Sequence, residues 1–169
     1  RCLSRGLGDV YKRQGDDTHV HGQVREAAGA EADTGVTALA VLAFLAADQT
    51  HLEGEHQETV QNALQFLIRS QEADGNLAGD AAFFAKMYCH GMATLAVSEA
   101  LAITGDRRLR STVEAAVRFT RQAQHPQTGG WRYQPRDRGD MSQFGWQVMA
   151  LRSAEPVSYT HLTLPTTGV

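Results

Sequence analysis

The chain has 169 residues, 42% of them apolar, with sixteen basic and nineteen acidic side chains and a formal net charge of −3. That length suits one ordinary domain with its own core, and the apolar fraction is that of a soluble globular protein. No run of eighteen apolar residues occurs, so the sequence holds no transmembrane span, and the acidic balance argues against a nucleic-acid surface.

Both ends stand apart from the rest. Residues 1–14, RCLSRGLGDVYKRQ, and 157–169, VSYTHLTLPTTGV, differ in composition from what lies between and resemble translated adapter sequence, so they are read as non-native tails. Between them twelve basic residues face eighteen acidic ones, a net of −6. Cys89 is the one cysteine inside these limits, and a single thiol makes no internal disulfide. The compartment is left open.

Residues 15–32 are polar and small without sustained periodicity and read as a leader. From Thr34 to Ala47 nearly every residue is small or apolar, which predicts a helix surrounded by others, with Asp33 placed to cap it. From about His56 to Gln71, Val60, Ala63, Leu64 and Leu67 fall on one stripe, which predicts a surface helix packed by one face. A second apolar segment runs from about Tyr88 to Thr104 and stops at Gly105. Asp106 then caps an amphipathic segment through Val113, Ala116, Val117 and Thr120. A third apolar segment spans roughly Met141 to Ser153.

These segments repeat. GVTALAVLAFL from Gly35 returns as GMATLAVSEAL from Gly91 and GWQVMALRSAE from Gly145, at spacings of 56 and 54 residues. VQNALQFLIRSQ from Val60 aligns with VEAAVRFTRQAQ from Val113. A period near fifty residues marks supersecondary units stacked on one another, here about two and a half helical hairpins over residues 33–156, each with an inner and an outer helix. Ala40, Ala96 and Ala150 share one register, flanked by Leu39, Leu95 and Met149, and small residues there let helix axes approach.

Each outer helix ends in a glutamine followed by a glycine turn. QEADGNL supplies Gln71, Asp74 and Gly75, and QHPQTGGW supplies Gln124, Gly129, Gly130 and Trp131. The pattern resembles the Q-x(3)-[DG]-G-x-W motif of the squalene cyclase and protein prenyltransferase superfamily. That resemblance covers about residues 33–155 and implies an all-α fold, a partial α/α toroid with parallel inner helices. It further implies that Gln124 and Trp131 clamp adjacent units, with Gln71 in the same role and Leu77 where the tryptophan would stand.

The catalytic sets of that superfamily are not found in the sequence. The cyclases that protonate an alkene need an Asp-x-Asp-Asp cluster, whereas Asp74, Asp80, Asp137 and Asp140 are scattered through turns and read as caps and turn formers. The prenyltransferases hold zinc with Asp, Cys and His. Cys89 and His90 suggest that set, but Met87 occupies the aspartate position, and adjacent helical residues point about 100° apart, so a buried structural thiol is the better reading. His19 and His21 lack a nearby third ligand and read as loop, and Arg107, Arg108 and Arg110 flank a cap and face water.

The expectation is a non-catalytic binding or scaffolding module for an apolar small molecule, a peptide or a protein partner, with no metal and no cofactor. The alternative is part of an isoprenoid-processing enzyme, a terpenoid cyclase or prenyltransferase whose catalytic residues lie outside this sequence. The candidate binding surface is the rim where the inner helices begin, with Asp33, Tyr88, Cys89, His90 and Trp146. Converging helix N-termini favour an anionic or polar group there.

Overall fold

The computed structural model describes residues 32–158, and the residues it describes are helical with no strand. The tails, apart from 157 and 158, and the leader up to residue 31, with His19 and His21, lie outside the described residues. The five α-helices are α1 (Asp33–Ala46), α2 (Gln57–Arg69), α3 (Lys86–Thr104), α4 (Arg110–Gln122) and α5 (Met141–Ser158). A short 3-10 turn, Arg107–Leu109, leads into α4.

The one-sided stripes form the outer helices as expected. Val60, Ala63, Leu64 and Leu67 are the buried residues of α2. In α4, Val113, Ala116, Val117 and Thr120 are buried together with Thr112 and Phe119. Gly105 ends α3 in the left-handed conformation (φ 66°), where its N–H bonds the Leu101 carbonyl at 2.8 Å. Asp106 caps the following turn by accepting from the Arg108 N–H. The Asp33 cap does not form: Ala32 holds the cap position, and Asp33 is the first helical residue, its carboxylate still at the positive end of the helix. Asp140, read with the other scattered aspartates as a cap or turn former, is a cap. It accepts from the Gln143 N–H at 3.0 Å and starts α5, which continues to Ser158, past the expected end.

The inner helices α1, α3 and α5 lie side by side with α3 in the middle, while α2 packs on α1 and α4 on α3. They run parallel. At their starts Gly35 faces Cys89 and Gly91 faces Trp146 and Gln147, whereas further along Leu45, Ile103 and Arg152 line one groove. The two glycines are what permits this approach, since a β-carbon on Gly35 would sit 2.9 Å from the Cys89 sulfur and one on Gly91 2.7 Å from the Gln147 amide.

Ala96 and Ala150 are fully buried, but Ala40 is only half-buried. The difference has a simple cause. Cys89, Met92 and Ala96 lie on the face of α3 that meets α1, and Gln147 and Ala150 on the face of α5 that meets α3. The same face of α1 has no inner helix against it among the described residues. The opposite edge is open as well, since Phe144 and Val148 of α5 are each 40% exposed where their repeat equivalents on α3, His90 and Thr94, are buried.

Candidate functional site

The two glycine turns share one hydrogen-bond scheme. Gln71 Nε2 donates to the Gly75 carbonyl at 3.2 Å, and Gln124 Nε2 donates to the Gly129 carbonyl at 2.7 Å. Within the turns, Glu72 N–H bonds the Asn76 carbonyl as His125 N–H bonds that of Gly130, both at 2.8 Å. Both glycines take positive φ, 100° at Gly75 and 69° at Gly129, so the extra residue in the second turn is absorbed without changing the pattern. Asp74 tightens the first turn by accepting from the Asn76 N–H. Gly130 is held against Gly139, at a distance that leaves no room for a β-carbon.

Gln71 also donates to the Thr112 carbonyl at 3.0 Å, tying the first turn to the first turns of α4. Trp131 is buried, its indole N–H donates to the Thr120 carbonyl at 2.7 Å, and its ring lies 6.0 Å from that of Phe144. Leu77, at the equivalent place, is fully buried too. Its backbone N–H donates to His90 Nδ1 at 3.1 Å. His90 therefore carries its proton on Nε2, which faces the Thr120 hydroxyl at 2.8 Å, while that hydroxyl donates on to the Ala116 carbonyl. Burial pushes the His90 pKa down to about 3, so the ring is neutral.

Among the described residues, the five rim residues do not all face one way. Cys89 and His90 are buried, one facing α1 and the other facing Leu77 and α4, and desolvation raises the Cys89 pKa. Tyr88 donates to the Ser142 hydroxyl at 2.6 Å, which in turn donates to Asp140, while Trp146 is half-buried against Gly91. Asp33 lines a separate cleft of about 450 Å³ with Gln71 and Asp80. The Arg108 guanidinium faces water as expected and also pairs with the Asp106 carboxylate at 2.7 Å, holding the Asp106 pKa well below the usual range. Buried His51 reaches the same carboxylate at 3.0 Å, a contact across 55 residues of sequence that no local pattern announces.

A larger cavity than the Asp33 cleft lies elsewhere. A groove of about 710 Å³ is lined only by inner-helix residues and is mostly apolar. Leu95 and Met149 stand in its wall at one repeat register, and one turn further on Glu99 and Ser153 stand at another, where α1 has Ala43. Among the described residues no three His, Cys, Asp or Glu side chains come together as a metal site. No family model, curated protein or solved structure matches the chain.

Proposed function

We propose that the chain is an arc of an α/α toroid of the squalene cyclase and protein prenyltransferase type, acting as a non-catalytic module that binds an apolar small molecule. The groove carries this reading. Its volume falls within the roughly 300–1,000 Å³ of small-molecule sites, and its wall is apolar with a few polar groups, as such sites are built. The parallel inner helices and the matched turns at Gln71 and Gln124 support the toroid assignment, since stacking identical units in one sense turns the array progressively.

The test is titration of the chain with a neutral apolar fluorophore such as diphenylhexatriene, beside the variant Met149→Lys. Met149 is 45% exposed, so a lysine there can reach water without disrupting the core. Saturable binding by the chain, lost in the variant at an unchanged melting temperature, is the expected result. Equal binding by both proteins, or none by either, would reject the groove as the site.

A further inference from the structure

The groove has a sign as well as a shape. Glu99, half-buried in its wall, makes no hydrogen bond or ion pair with any described residue. At the same register the other inner helices carry Ala43 and Ser153, so α3 alone places a charge there. The one basic side chain lining the groove, Arg152, points mostly to solvent and donates to Glu155 at 2.6 Å, so that pair adds no net charge to the groove. The carboxyl ends of α1 and α3 also reach this groove, at Ala46 and Ile103, and neither helix has a basic residue in its last turn. Partial negative charge from both helix ends therefore adds to that of Glu99.

We propose that the groove takes a small amphiphilic cation, an aliphatic ammonium whose head sits against Glu99 and whose tail lies along Leu95 and Met149. This rests on reading the groove as a ligand site and names the class of ligand it selects. An anionic head would meet the carboxylate and both helix ends in a partly desolvated wall, where opposite and like charges are distinguished more sharply than in water. The preference is opposite in sign to the one expected of a rim at the helix starts.

The experiment displaces bound diphenylhexatriene with decyltrimethylammonium, decanol and decanoate, which share a tail and differ in head charge, all below their micelle thresholds. The cation is expected to bind about tenfold more tightly than the alcohol, and the anion more weakly than either. Glu99→Gln should bring the cation to within about threefold of the alcohol, both measured in the variant. In the unmodified chain the cation's advantage should shrink as salt rises from low to high ionic strength, a readout that needs no variant. Equal displacement by all three heads, or an advantage that survives both Glu99→Gln and high salt, would overturn the cation assignment and leave the apolar site standing. Failure of diphenylhexatriene to bind at all would remove both.

Discussion

The imidazole of His90 joins three parts of the fold by accepting from the Leu77 N–H on one nitrogen and meeting the Thr120 hydroxyl with the other. Leu77 belongs to the first glycine turn, His90 to the central inner helix and Thr120 to its outer partner. The bond from Leu77 needs an unprotonated Nδ1, so it suits only the neutral ring with its proton on Nε2.

Acid should therefore loosen the fold through this residue. The folded pKa of about 3 lies below the ordinary 6.5, so the unfolded chain binds the extra proton first. Stability from this group is full above pH 6.5 and falls by ~1.4 kcal/mol per pH unit as pH drops toward 3. Urea unfolding between pH 4 and 8 should show a shallower acid limb in His90→Gln than in the unmodified chain. Parallel acid limbs would mean that His90 is not buried in its neutral form.

The two glutamine turns should differ in worth although they share a pattern. Gln71 bonds both its own turn and the Thr112 carbonyl of α4, whereas Gln124 is exposed and bonds only within its turn. Chemical denaturation should give a loss of about 1–2 kcal/mol for Gln71→Ala and less than about 0.5 kcal/mol for Gln124→Ala. Equal losses would show that the bond to α4 contributes nothing.

Gly75 and Gly105 form a second matched pair, both in positive φ at the end of a segment. A β-carbon at Gly75 would stand 2.2 Å from the Ala115 carbonyl oxygen, while one at Gly105 would meet nothing within 4 Å. Gly105→Ala should cost about 1 kcal/mol from backbone strain alone, and Gly75→Ala at least about 3 kcal/mol because α4 must also move. Comparable melting temperatures for the two variants would contradict the close seating of this turn on α4.

The outer helices were legible because each buries one face only. The apolar stripe of Val60, Ala63, Leu64 and Leu67 contrasts with exposed Gln61 and Gln65, and periodicity reports that contrast. The inner helices lack it. Leu95 and Met149 line an open groove, while Val97 and Ala150 are core, yet all four are apolar and nothing local separates them. Cys89 and His90 begin an inner helix as expected, but which way they point depends on where α1 and α4 sit. Glu99 carried no signal as one carboxylate among nineteen acidic residues until the fold set it beside Leu95 and Ile103.

Methyl NMR of the methionines tests most directly whether the groove is a ligand site. The chain has four: Met87 fully buried, Met92 half-buried, Met149 in the groove wall, and Met141 81% exposed at the start of α5 outside the groove. With ¹³C-methyl labelling, titration with decanol should shift the Met149 signal saturably while those of Met87 and Met141 stay in place, since a bound aliphatic chain changes only its immediate surroundings. A Met149 signal that does not move, or one that moves no more than that of Met141, would contradict binding in the groove.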